Sequence, residues 1–452
     1  MLRKIIAIEL MLIAFSITAF AQREQISLDG QWSFMIDSTK QSISNKWFAN
    51  GMPQTKENVQ VPHTWNVKKE TARYWGWAWY QRNMEVPKSW KGKIIRLQFN
   101  AVYHDATIWV NGVKAGEHKG SGFTRFFIDA TKYLKTGAQN TITVLADNSF
   151  SNTTIPYSVS FDWPNDGGII RSVSMLVTNP VYMEQVQVNA RPDFTNAAKP
   201  TGLAAIKVTV PGLEKMDPKQ MTCEIAVTEE NQPTSKIIYD GTPALNFQAN
   251  NLLCQLNFDS IHLWHFDNPN LYKVNVTLRY KNKITDTFSV NTGFRELKVQ
   301  GDAFVFNGEK IRIAGAEIMF GSSLKNGMAE TNEELEAYLK KAQYLNVMFT
   351  RFHWQQGDFV HDWCDRNGVL TQEEIPIWGN KVFMTDTIMQ IAKSQLSEMV
   401  ADHWNHPSII SWGVGNEISA RDANNIKGVK ELYQFTKALD GSRLSSYVSN
   451  TL

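Results

Sequence analysis

The pair Asn416-Glu417 stands where an apolar run, Ile409 to Val414, gives out into Gly415. Glu373 and Glu374 close a second such run that begins at Val369, and Arg351 and His353 end a third that begins at Val347. Carboxylates, a guanidinium and an imidazole gathered at strand ends suit proton-transfer chemistry. A carboxyl kept protonated by burial or by a neighbouring charge can donate to a leaving oxygen. Cleavage of a glycosidic bond uses two carboxylates flanking that bond, one of them such a donor. By position alone Glu417 serves equally well as a surface carboxylate capping the next helix. His353 equally suits a hydrogen-bonded core histidine, and Glu374 a buried ion pair with Arg351.

The elements that must hold these residues alternate. A strand from Ile311 to Ile318 precedes a helix that starts at Thr331, where Thr331 and Glu334 form a capping box. Strands Val347 to His353, Val369 to Glu374 and Ile409 to Val414 are each followed by a helical stretch, the last over Ala423 to Leu439. Ser445 to Val448 begins one more strand. Apolar strands alternating with helices predict a parallel β/α architecture. No glycine-rich phosphate loop follows the first strand, so a TIM barrel is preferred over a dinucleotide fold. A complete barrel has eight such units. About four precede Leu452, so residues 296–452 are expected to be the N-terminal half of a barrel in a chain that continues.

Upstream the pattern is all β. Ile94 to Phe99 and Thr107 to Val110 are rich in β-branched and aromatic residues, and Asn111-Gly112 after the second is a hairpin signal. Residues 22–180 read as a jelly-roll sandwich, and residues 181–295 as a smaller immunoglobulin-like sandwich with strands such as Thr222 to Val227. Residues 1–21 read as a cleavable leader: Arg3 and Lys4, an apolar stretch to Phe20, then Ala19-Phe20-Ala21 before Gln22. Export to a periplasm or the exterior is expected, with no membrane association after cleavage.

Charge is nearly balanced, 46 Lys+Arg against 44 Asp+Glu, which removes the electrostatic case for a nucleic-acid partner. The three cysteines, Cys223, Cys254 and Cys364, have no zinc-site spacing. Cys223 and Cys254 fall in one β region and are able to pair after export, although a domain of this size needs no such staple. The 15 tryptophans fit either large cores or sugar-stacking faces.

His406-Pro407-Ser408-Ile409-Ile410-Ser411-Trp412 followed by Gly415-Asn416-Glu417 resembles the acid/base signature of glycoside hydrolase family 2. Other stretches agree in order: Leu28-Asp29-Gly30-Gln31-Trp32, Val61-Pro62-His63-Thr64-Trp65-Asn66, Trp109-Val110-Asn111-Gly112, Asn165-Asp166-Gly167-Gly168 and Phe306-Asn307-Gly308-Glu309-Lys310. The resemblance implies a β-galactosidase-like, exo-acting retaining enzyme acting on a glycoside or oligosaccharide. Glu417 would be the general acid/base and Asn416 the contact to the hydroxyl beside the anomeric carbon. Arg351, His353, Glu374 and Asp162 would stand around the sugar. Trp354 and Trp378 would offer a platform, or simply pack. β-Glucuronidase and β-mannosidase are the alternatives within the family. A carbohydrate-binding fragment without catalysis, or a nonfunctional truncated product, are the alternatives outside it. A homo-oligomer stays open.

The sequence departs from the family in three places. Glu317 and Met319 stand where an Asn and a His usually follow the first barrel strand. Trp378 and Asn380 replace a Glu and a His that bind magnesium in well-known β-galactosidases, so neither a magnesium site nor any other cofactor is expected. The retaining nucleophile comes from a later strand in the family. Asp422, Glu431 and Asp440 sit on or beside the next helix, so that nucleophile is expected beyond this sequence.

Overall fold

The computed structural model describes residues 23–156, 163–195, 199–230, 235–379 and 384–451. The leader, Asp162 and Asn380 lie outside the described residues. Two antiparallel sheets form the first unit. One has six strands, in the order Glu57–Val61, Gly30–Asp37, Trp77–Val86, Ala138–Asp147, Asp105–Val110 and Val113–His118. The other has four: Glu24–Ser27, Val173–Thr178, Ile94–Phe99 and Phe126–Asp129. Their inner faces enclose Trp32, Trp65, Tyr80, Leu97, Phe99 and Val144. Asn111 and Gly112 both adopt positive φ, 52° and 79°, as a two-residue hairpin loop requires.

The tryptophan excess goes largely into packing here. Trp79 and Trp109 stack at 5.1 Å on the outer face of the six-stranded sheet, under the short helix Trp47–Asn50. Burying rings of this size stabilises by about 2–3 kcal/mol each relative to exposure, so the sugar-stacking reading is not needed for these side chains.

The second unit is a sandwich of two four-stranded antiparallel sheets. Strand Thr201–Thr209 alternates buried and half-exposed positions along its length, the signature of one face on a core. Cys223 and Cys254 lie on the two facing sheets as free thiols, and Cys364 is also free. The core of Val188, Ile206, Ile225, Val276 and Phe294 closes without a disulfide.

The third unit is a five-stranded parallel sheet in chain order: Gly315–Glu317, Phe349–Phe352, Leu370–Glu374, Ile409–Gly413 and Leu444–Ser446. Helices Asn332–Tyr344, Asp358–Asn367, Asp386–Asp402 and Ala423–Leu439 connect them. The capping box at Thr331 is present, with both reciprocal hydrogen bonds. Parallel strands in order, each followed by a helix, are the wall of a partial barrel, so the multidomain fold of two sandwiches and a partial TIM barrel holds.

One expected element is divided. The apolar run from Ile311 is not a single strand. Glu309–Ile311 closes an antiparallel meander with Leu297–Gln300 and Ala303–Phe306, and only Gly315–Glu317 joins the barrel. Ile311 and Ile313 instead pack with Trp264, Phe306, Leu370 and Ile410 beneath the N-terminal ends of the barrel strands. That plug leaves the opposite ends, where the reactive residues stand, facing outward. Among the described residues no helix is long and apolar enough to cross a membrane.

The units are joined by polar contacts, most of them buried. Gln395 donates to the carbonyls of Gly120 and Ile155 at 2.7 and 2.9 Å. Arg295 donates to those of Pro407 and Ile409 at 3.1 and 2.7 Å. Arg125 of the jelly roll pairs with Asp358 and Asp402 of the barrel at 2.5 and 2.8 Å. Groups paired this way cannot be separated without exposing unsatisfied charge or carbonyls, which fixes the jelly roll against the barrel mouth.

Candidate active site

Strand alternation sends Glu373 and Glu374 to opposite sides of the barrel wall. Glu374 faces the strand-end cluster. Its carboxylate is fully buried and receives Arg351 as a fork, Nε at 3.1 Å and Nη2 at 2.7 Å. Arg351 Nη2 also donates to Asn416 Oδ1 at 2.7 Å, and Nη1 to Glu317 Oε2 at 3.2 Å. Gln372 supports Glu374 from inside the wall at 3.3 Å and is itself held by the Ser446 hydroxyl at 2.8 Å. Glu374 pairs in register with Gly413. A Cβ there would lie 2.3 Å from the Glu374 Cβ, so only glycine lets the carboxylate occupy its place.

His353 lies between two carboxylates. Its Nδ1 is 3.0 Å from Glu374 Oε1, and its Nε2 contacts Glu317 Oε1. Burial pushes the imidazole down, but the bonds to Glu317 and Glu374 outweigh it and hold the group up at about 9. The bond from His353 in turn lowers the Glu317 carboxyl. A histidine raised in the folded state contributes its stability below pH 6.5, its ordinary value, and loses it as pH rises through about 9. Thermal stability of the wild-type protein is therefore expected to fall across that window, and the fall to shrink in His353→Gln. A wild-type melting temperature level from pH 6.5 to 9 would contradict the pairing.

Glu417 follows the strand Ile409–Gly413 on a pinned turn. Asn416 N–H donates to Ile377 O at 2.7 Å, Gly379 N–H to Asn416 O at 3.1 Å, and Ile418 N–H to Val448 O at 3.1 Å. Between these anchors Glu417 takes φ 53°, a left-handed conformation that costs a non-glycine residue about 1–2 kcal/mol. Strain kept in place by bonds on both sides marks a site where the side chain's direction matters. The Trp378 indole N–H donates to Glu417 Oε2 at 3.1 Å. Trp378 therefore touches the candidate acid directly, at a position where the resemblance would have a magnesium ligand.

Trp354, expected beside the sugar, is only 3 % exposed. Phe123 stacks on it at 5.2 Å and Trp163 packs at 5.2 Å. Its faces are already occupied by the jelly roll, so it serves as packing and not as a platform. Trp163 was not singled out by sequence. It stacks on His353 at 5.7 Å and meets Trp378 edge-on at 5.9 Å. The signal available was its place directly after Asp162.

Glu373 belongs to a separate buried network. It accepts from His361 at 2.8 Å, His403 at 2.7 Å and the Gln356 N–H at 2.6 Å. Burial lowers His361 to about 4 despite Glu373, whereas the acidic neighbours outweigh burial at His403 and raise it to about 10. These three donors lie close enough to hold a metal ion, as do Asp358, Asp402 and His403, and Asp362, Asp365 and His406. A charged His403 and a neutral His361 each place one ring nitrogen on the ionised Glu373, while His361 Nδ1 and His403 Nε2 have no hydrogen-bond partner. Asp422 caps the following helix, Glu431 pairs with Lys393 at 2.6 Å, and Asp440 accepts from Trp412 and Arg443. None of these three reaches the cluster around Arg351. A cleft of about 890 Å³ opens between the jelly roll and the segment from Phe320 to Asn332. It shares Trp354 with the back of the site, but Glu317, Glu374 and Glu417 do not line it.

Residues 26–180 match the sugar binding domain of glycosyl hydrolases family 2, residues 181–295 the match described simply as glycosyl hydrolases family 2, and residues 297–452 the family's TIM barrel domain. The chain belongs to glycosyl hydrolases family 2. Among family 2 proteins it is 25% identical over 464 residues to a β-glucuronidase of Bacteroides fragilis, covering 98% of this chain and 63% of that protein. It is 29% identical over 393 residues to a β-galactosidase of Thermoanaerobacter pseudethanolicus, covering 85% and 50%. Its fold superposes on a β-glucuronidase from Ruminococcus gnavus in complex with D-glucaro-d-lactam, with a TM-score of 0.83 at 20% identity, over 94% of this chain and 72% of that one. The chain thus spans between half and two thirds of the length of these two curated relatives.

Proposed function

We propose that this family 2 protein is an exported, exo-acting glycoside hydrolase that cleaves β-galactosides with retention, using Glu417 as the acid/base. The observation that carries the reading is the strained, pinned Glu417 beside Asn416, Arg351 and Glu374 at the open ends of the barrel strands. Glu417 protonates the glycosidic oxygen as the bond breaks, then takes a proton from the water that completes the reaction. Trp378 orients the carboxyl through Oε2. Arg351 takes the Asn416 carbonyl oxygen, which turns the Asn416 amide N–H groups toward a sugar hydroxyl. Retention also needs a nucleophilic carboxylate about 5 Å from the first, a role we assign to none of Asp422, Glu431 and Asp440.

The name of the Bacteroides relative favours β-glucuronides as a second reading. The protein expressed from its complete reading frame, assayed on 4-nitrophenyl β-galactoside, β-glucuronide and β-mannoside, separates the two. Turnover of one aryl glycoside with retained anomeric configuration supports the hydrolase. Glycan binding with no turnover of any of them leaves a carbohydrate-binding protein instead.

A further inference from the structure

Glu317 ends the first barrel strand, and nothing in the acid/base chemistry uses it. Its side chain is 36% exposed, whereas Glu374 in the same cluster is fully buried. Both cations of the cluster are already committed inward. His353 has a carboxylate on each ring nitrogen, so neither N–H is free for a ligand. Arg351 spends its fork on Glu374, a further Nη2 N–H on Asn416 and one Nη1 N–H on Glu317, four of its five donors. A sugar arriving at these strand ends therefore meets the spare lone pairs of Glu317, the amide of Asn416 and the carboxyl of Glu417. Neither ring N–H of His353 is open to it, and of the Arg351 donors only the second Nη1 N–H is.

We propose that Glu317 is a charge-selecting sugar contact, which accepts a hydrogen bond from a hydroxyl of a neutral glycoside and repels the carboxylate of a uronide. The inference rests on the hydrolase reading and narrows its substrate class. Two like charges about 5 Å apart in a partly wet site disfavour each other by roughly 100-fold in binding; the Arg351 and His353 charges paired with Glu317 offset much of this, leaving a discrimination of roughly tenfold. Trading the carboxylate for an amide removes the repulsion while keeping an acceptor for His353.

The test compares kcat/KM for 4-nitrophenyl β-galactoside and β-glucuronide in the protein from the complete reading frame and in Glu317→Gln. The wild type is expected to prefer the neutral substrate by roughly tenfold, and Glu317→Gln, which leaves Arg351 and His353 with one carboxylate between them, to abolish or reverse that preference through the KM of the uronide. Added salt should lower the uronide KM in the wild type and leave it level in Glu317→Gln, which a merely structural role would not produce. A wild type that prefers the uronide overturns the proposal, as does a ratio that stays constant while both activities fall together. Calorimetric binding of galactonolactone and glucarolactone reads the same discrimination without turnover. If neither glycoside is cleaved, the hydrolase reading fails and the lactone ratio decides the role of Glu317 by itself. Binding of neither lactone overturns both.

Discussion

Glu417→Gln is expected to lower kcat on a glycoside with a poor, high-pKa leaving group by about 10²–10⁴-fold, the usual contribution of a general acid. The loss should be much smaller in the first chemical step for an activated dinitrophenyl leaving group, which departs without protonation. Glutamine keeps the length of the side chain and an oxygen to accept the Trp378 indole N–H, now 3.1 Å from Oε2. It also leaves untouched the three backbone bonds around Gly415 to Ile418 that enforce the left-handed turn. The variant should therefore fold and bind as the wild type does, so the deficit is chemical. Circular dichroism and lactone affinity check that half of the expectation. Equal losses on both leaving groups, or activity within a few-fold of wild type on the poor one, would remove Glu417 from the role of acid.

The second large effect is on stability. Glu373→Ala should destabilise the barrel by about 3–5 kcal/mol, because it removes one partner of a fully buried ion pair and leaves the other uncompensated. The orphan is His403, which is raised to about 10 and has only Asp358 and Asp402 at 3.6 Å to replace Glu373 at 2.7 Å. His361 loses its hydrogen-bond acceptor at the same time. The pH dependence follows from the signs. Burial opposes ionisation of Glu373, but the histidines outweigh it and lower its carboxyl, so its contribution exists above the ordinary 4.5 and is lost in acid. His403 is raised, so its contribution exists below the ordinary 6.5 and is lost as pH rises through about 10. The penalty should be largest between those limits and shrink on either side. Hydrogen exchange of the strand amides Leu370–Glu374 reads the local opening free energy without assuming that three domains unfold as one. A penalty under about 1 kcal/mol near neutral pH would show that the network is as weak as a surface pair.

Much of this architecture is written in local pattern. The helix at Thr331 could be placed from its capping box alone, and the helix Ala423–Leu439 from its flanks and period, because caps and periodicity act over a few residues. The Asn111-Gly112 hairpin is equally local. The run from Ile311 was read as one strand because an apolar stretch looks the same whether it pairs forward or backward. Its division depends on Ala303–Phe306 and Phe349–Phe352 competing for different parts of it. Trp354 stayed open between platform and packing for a related reason: a tryptophan after a strand end is ambiguous until the jelly roll supplies Phe123 and Trp163 to cover it.

By itself, then, the sequence determined the order of two sandwiches and a parallel β/α unit, the ends of its strands, and the family to which Asn416 and Glu417 point. Alternation along a strand also required that Glu373 and Glu374 face opposite ways. The sequence pointed to Glu374 as the partner of Arg351; the tertiary structure decided that Glu373 is locked between two histidines. It decided that His353 is held by Glu317 as well as Glu374, and that Glu317 keeps an exposed face. Arg351 and Asn416 are 65 positions apart, and His403 is 30 from Glu373. Propensity and period act across a few residues, whereas a charge chooses its partner through space, after the barrel wall has brought distant strand ends within hydrogen-bond reach.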